Sequence, residues 1–243
     1  GVQFEGVEQI ADEKSFFLFF RYHMDMNTRD TLVTDLNVLS KFNPQLPVSY
    51  QDCEFLMLGN LMPSLQKQII EQLPVRPKLI IMDTMNFWMD IAMDDLKKVI
   101  GMVDLLMVND AEARQLSGEY SLVKAAQKIM QMGPKYLIIK KGEHGALLFH
   151  GHHVFFAPAL PLEEVFDPTG AGDTFAGGFI GHLARTGDIS YNNMKTAIII
   201  GSAMASFVVE KFGAERLKEI SRDDIAHRLN QFVDLVNFDI DIE

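Results

Sequence analysis

The sequence predicts a three-layer α/β/α protein on a mainly parallel sheet, with a small β element ahead of it. Three observations carry this. From residue 54 onward, short apolar runs alternate with segments of helical period. The runs are continuously apolar rather than alternating, as strands covered on both faces are. Finally, 243 residues at 48% hydrophobic and 23% charged are enough to bury one large core.

The elements follow in order. "KSFFLFFRYHMD" (Lys14 to Asp25) reads as an aromatic strand, and "RDTLVTDLNVL" alternates as a second one. No helical pattern separates them, so residues 1–40 form the small β element and 41–243 the α/β part. "EFLMLG", "KLIIMD", "LLMVN" and "KYLIIKK" are the buried strands. The helical patterns between them are "PSLQKQIIEQL", "AMDDLKKVIGMV", "AEARQLSG" and "SLVKAAQKIMQMG". "GALLFH" and "HVFFAP" read as antiparallel edge strands, with "HGHH" as their solvated turn rather than a metal site. Three helical segments close the chain: "GDTFAGGFIGHLART", "YNNMKTAIIIGSAMASFVVEKF" and "RDDIAHRLNQFVDLV". The crossovers are expected to be right-handed.

Composition excludes several function classes. A net charge of -11 disfavours nucleic acid and anionic membranes as partners. The single cysteine, Cys53, rules out a disulfide framework or Cys-based zinc site within the chain and suggests a reducing, cytoplasmic location. The longest uncharged run, between Lys195 and Glu210, is too short to span a bilayer. No signal-peptide pattern opens the sequence. There is no G-x-x-x-x-G-K-[ST], no G-x-G-x-x-G after the first strand and no G-x-S-x-G elbow.

Ligands of parallel sheets sit at the carboxyl ends of the strands, which directs attention to four places. "DPTGAGDTFAGGF" (Asp167 to Phe179) holds four of the 17 glycines. Gly170, Ala171 and Gly172 lead into a helix expected to begin near Asp173, so their N–H groups offer an anion site. Asp173 beside such a site fits a base that takes a proton from an attacking hydroxyl; the alternative is an N-cap. Phe175, Phe179 and Leu183 would anchor the helix, with Gly177, Gly178 and Gly181 given to close packing. "NDAE" reads either as a capping box of Asn109 and Glu112 or as a site where Glu112 orients Mg²⁺. "DTMN" places Asp83 in a turn or near phosphates. "KKGEHG" offers Lys140, with Gly142 and Gly145 permitting close approach of a ligand.

Together these stretches resemble the ribokinase-like (PfkB) sugar and nucleoside kinases. "DPTGAGDTFAGGF" is similar to that family's C-terminal signature, "NDAE" to its N-x-x-E motif and "KKGEHGALL" to its nucleotide-binding strand end. The likeness runs from about Phe17 to the last helix. It implies a Rossmann-like, ribokinase-like three-layer fold, with residues 1–40 as a β lid and 41–243 as the kinase core. It also implies ATP-dependent transfer of the γ-phosphate to a hydroxymethyl group of a sugar. A nucleoside acceptor is the alternative within that chemistry. A non-catalytic ligand-binding or regulatory protein on the same scaffold is the alternative from another class.

On that resemblance, Asp173 is the base and Gly170, Ala171 and Gly172 form the anion hole. Asn109 and Glu112 organise Mg²⁺ and phosphates, Glu112 through water. Lys140, Gly142, Gly145 and Asp83 border ATP, and Asp167 lies near a monovalent-cation site of the kind that takes K⁺. The lid covers the acceptor and pairs two subunits as a homodimer. Two departures stand out. Lys140 occupies a position where many members carry Thr. No Gly-Gly-Asn element occurs, so the sequence is expected to begin late within the family's length.

Overall fold

The computed structural model describes residues 2–237 and 239. Strands β1 (Phe17–Tyr22) and β2 (Arg29–Asp35) pair antiparallel in a two-stranded sheet of their own. Both are shorter than their sequence runs. Beyond Tyr22 the chain closes a turn in which His23 N–H donates to Thr28 O at 2.9 Å, and Asn37–Lys41 coils into a tight helical turn. In β1, side chains alternate between faces. Phe17 and Phe19 are exposed while Leu18, Phe20 and Tyr22 are partly covered.

The main sheet comprises β3 (Phe55–Leu58), β4 (Leu79–Asp83), β5 (Leu105–Asn109), β6 (Tyr136–Lys140), β7 (Ala146–His150) and β8 (His153–Ala157). Their spatial order is their chain order. β3 to β6 are parallel, and β7 and β8 form the antiparallel edge.

Sequential order with right-handed crossovers sends every connecting helix to the same face. That face carries α1 (Pro63–Gln72), α2 (Asn86–Ile91), α3 (Met93–Ile100), α4 (Asp110–Ser117) and α5 (Leu122–Met130). α2 is an element absent from the helical patterns expected of the sequence; a backbone break at Ala92, at φ −143° and ψ 34°, separates it from α3.

After β8 the chain crosses to the other face with α6 (Ala171–Thr186) and α7 (Tyr191–Val208), then adds α8 (Glu215–Glu219) and α9 (Arg222–Val236). α7 stops short of the expected Phe212. Val209 O instead receives the N–H groups of Phe166 and Asp167 at 2.9 and 3.3 Å, tying the end of α7 to the loop that precedes α6.

The period-two geometry of the buried strands divides the core in two. Ile80, Met82, Leu106, Val108, Leu137 and Ile139 pack with Leu96, Ile100 and Ile129 on the α1–α5 side. Leu79, Ile81, Leu105, Met107 and Ile138 pack with Phe175, Phe179, Leu183, Met194 and Ile198 on the α6–α7 side. At full burial each such side chain contributes about 1.5–3 kcal/mol. α6 and α7 cross at glycine: a Cβ on Gly178 would stand 3.0 Å from Gly201 Cα, and one on Gly201 would stand 2.7 Å from Phe175 O. The expectation that Gly177 and Gly181 make this contact is corrected, since both face open space. Among the described residues no helix is long and apolar enough to cross a membrane.

Candidate active site

The carboxyl ends of β4, β5 and β6 and the start of α6 converge on one polar cluster. Asp83 ends β4 almost wholly buried. Lys140 ends β6, and its ammonium donates to both Asp83 oxygens at 3.2 and 3.1 Å. Gln66 of α1 ties the floor together by donating to Gly59 O at 2.7 Å and Asp83 O at 3.0 Å. Gln66 Oε1 and Thr84 Oγ1 are buried with no partner among the described residues.

α6 begins at Ala171, two residues earlier than expected. Gly170, at φ +82°, is the N-cap, a left-handed conformation that a Cβ penalises. Asp173 is therefore a third-position residue, and no side chain caps the helix; the capping alternative for Asp173 is not the arrangement present. The expected three-amide anion hole is also modified. Ala171 N–H is already committed to Pro168 O at 3.1 Å. The N–H groups of Gly170 and Gly172 have no acceptor among the described residues. Lys140 reinforces this end, because a Cβ on Gly172 would stand only 3.3 Å from its Nζ.

Asp173 is exposed and takes no hydrogen bond from the described side chains. Partial burial, followed by the Asp83 charge, pushes its pKa above the ordinary carboxylate range, while Lys140 pulls it back. Glu112 is buried. Burial raises it to about 7 against the Asn109 N–H and the Lys140 charge, which lower it. The Asn109–Glu112 capping box is fully made, at 2.7 and 2.8 Å, so that reading of "NDAE" holds, leaving one Glu112 oxygen outside the box.

Beside this cluster a cavity of about 410 Å³ opens between Lys140, Gly142, Gly145, Gly172, Leu160 and Val209. Gly145 has a structural reason as well, since a Cβ there would collide with Ala157 O. Asp167 lies outside the cluster. It accepts Thr169 N–H at 2.9 Å and Gly213 N–H at 3.4 Å, so it braces two loops. The hairpin β1–β2 reaches the same region, with Tyr22 Oη 3.5 Å from Thr169 Oγ1. Of its aromatic residues Phe20 and Tyr22 are partly covered, whereas Phe16, Phe17 and Phe19 are exposed.

Sequence reading missed the Asp83–Lys140 pair, the Gln66 brace and the contact of the hairpin tip with Gly142. No local pattern signals pairs that lie 57 residues apart.

Comparison with known proteins gives the class. The pattern of pfkB family carbohydrate kinases matches residues 7–220, and the chain belongs to that family. It is 28% identical over 211 residues to the cytidine kinase of Thermococcus kodakarensis, covering 84% of this chain and 72% of that one. It is 32% identical over 120 residues to the nucleoside kinase of Methanothermobacter thermautotrophicus, covering 49% of this chain and 36% of that one. The crystal structure of the Methanocaldococcus jannaschii nucleoside kinase superposes with a TM-score of 0.69 at 20% identity, over 90% of this chain and 69% of that one. The architecture is thus ribokinase-like.

Proposed function

We propose that the protein transfers the γ-phosphoryl group of ATP to the hydroxymethyl group of a sugar ring. The observation that carries this reading is Asp173, a carboxylate at the N-terminus of α6 that takes no hydrogen bond from the described residues, beside glycine amides with no acceptor among them and an ammonium. Repulsion makes a carboxylate a poor phosphate ligand, whereas as a base it takes the proton from the attacking hydroxyl. The N–H groups of Gly170 and Gly172 and the Lys140 ammonium face the position where charge builds on the transferring group. Ala171 keeps the turn small enough for that approach.

Mg²⁺ fits this donor set only as a phosphate-held ion. Among the described residues no three His, Cys, Asp or Glu side chains gather as a cage. One Glu112 oxygen remains outside the capping box to orient a coordinated water. When bound, Mg²⁺ supplies charge neutralisation across the phosphates. Gly142 and Gly145 border the cavity for the nucleotide, Asp83 holds Lys140 in place, and β1–β2 acts as the lid of residues 1–40 over the 41–243 core. For Asp167, bracing the loop ahead of α6 is the better supported role than K⁺ binding.

For the acceptor, a nucleoside is favoured over a free sugar. Phe20 and Tyr22 present an edge-to-face aromatic pair, centroids 5.3 Å apart, on the inward side of the hairpin, and the relatives above are named for cytidine and nucleosides. The test is ADP release by the full-length protein with Mg²⁺ and cytidine, adenosine, ribose or fructose. Turnover highest with a nucleoside supports the assignment; turnover with ribose or fructose alone replaces it with a free sugar. No ADP release with any acceptor refutes the kinase reading.

A further inference from the structure

The hairpin tip does something that its part as an acceptor cover does not require: it forms a wall of the nucleotide cavity. Asp25, Met26 and Asn27 line the 410 Å³ cavity together with Lys140 and Gly172. Asn27 rests directly on Gly142, where a Cβ would collide with Asn27 Oδ1. Gly142 also sits at φ +56°, so both its conformation and its missing side chain serve this seat.

The tip is pre-shaped. The Asp25 carboxylate accepts Asn27 N–H at 3.1 Å, Thr28 N–H at 3.0 Å and the Thr28 hydroxyl at 2.6 Å. Met26 N–H closes on His23 O at 3.0 Å, with Met26 itself in the left-handed region at φ +51°. With its backbone turn satisfied internally, the Asn27 amide makes no hydrogen bond to a described residue and faces the cavity boundary. The hairpin also meets the loop ahead of α6, where Tyr22 Oη stands 3.5 Å from Thr169 Oγ1, and the neighbouring Pro168 of that loop lines the same cavity.

We propose that Asn27 is a nucleotide-binding residue carried by the lid: its amide hydrogen-bonds the bound nucleoside triphosphate, so nucleotide occupancy holds the lid closed before any acceptor arrives. This rests on the kinase reading above. An amide suits the task because it adds a neutral donor beside a phosphate group without disturbing the Asp83–Lys140 charge pair.

The test uses the full-length protein and the non-hydrolysable analogue AMP-PNP with Mg²⁺, without acceptor. Calorimetry on the wild type, Asn27→Ala and Asn27→Asp is expected to show Kd rising about 3–10-fold in the first variant and further in the second, since a carboxylate there repels phosphate. Hydrogen exchange across residues 23–28 is expected to slow when AMP-PNP binds the wild type and to stay fast in Asn27→Ala. KM for ATP is expected to rise more than KM for the acceptor. Unchanged AMP-PNP affinity in both variants, or a tip whose exchange ignores the nucleotide, overturns the proposal and leaves the kinase reading standing. A folded wild type that binds no AMP-PNP and releases no ADP overturns both.

Discussion

The Lys140 ammonium bridges both carboxylate oxygens of Asp83, at 3.1 and 3.2 Å, while standing against the backbone of Gly172 at the start of α6. A single cation thus joins the end of β4, the end of β6 and the first turn of the helix that carries Asp173. Side-chain exposures of 19% for Lys140 and 9% for Asp83 mean that neither charge is well solvated alone.

Removing one partner leaves the other buried and uncompensated. Lys140→Met is expected to lower stability by about 3 kcal/mol and to raise KM for ATP. Adding Asp83→Asn is expected to recover most of the stability in urea titrations but not the turnover. A double variant as unstable as the single one would show that charge compensation is not what the pair supplies.

Asp173→Asn preserves size and, with no hydrogen bond from the described residues to lose, is expected to leave the thermal midpoint near that of the wild type. Turnover should fall by ~10²–10⁴-fold, the usual contribution of a positioned base. Near-normal kcat in this variant would falsify the base assignment.

Glu112 binds its proton more tightly in the folded chain than in the unfolded one, because burial raises it from 4.5 to about 7. Its contribution to stability is fully present below pH 4.5 and is lost as pH rises through 7. Glu112→Gln keeps the capping acceptor and removes the titration. In metal-free urea titrations, the variant's advantage over the wild type is expected to grow by on the order of 2–3 kcal/mol from pH 4.5 to pH 8. A pH-independent difference would refute the buried titration.

The glycines of α6 and α7 separate by what faces them. Gly177→Ala fills open space and is expected to stabilise by about 0.5–1 kcal/mol through helix propensity. Gly201→Ala places a methyl 2.7 Å from Phe175 O and is expected to destabilise by ~1–3 kcal/mol. Equal effects in the two variants, read from denaturant midpoints, would contradict the close crossing of α6 and α7.

Some of this was legible in the chain and some was not. The apolar runs at 79–83, 105–109 and 136–140 announce buried parallel strands, because two covered faces require continuous hydrophobicity. "GAGD" announces a helix start with bare backbone amides, a candidate anion site, because small residues leave the backbone open. These are local properties, readable within a few positions. Gly177 and Gly178 look alike in sequence, yet only Gly178 meets a neighbour. The faces of "FFLFF" were likewise settled by its pairing with β2.

The sequence by itself determined the strand and helix rhythm, the strand ends where the candidate site collects, and the residue types Asp173, Lys140 and Glu112 placed there. Only the tertiary structure decided that Lys140 answers Asp83, that Ala171 N–H is already engaged, and that Asn27 sits on Gly142. The physical reason is that periodicity records how each segment meets solvent and core, whereas these partnerships join residues far apart in the chain. Such contacts exist only once the sheet order and the α6 crossing bring them within hydrogen-bond or van der Waals range.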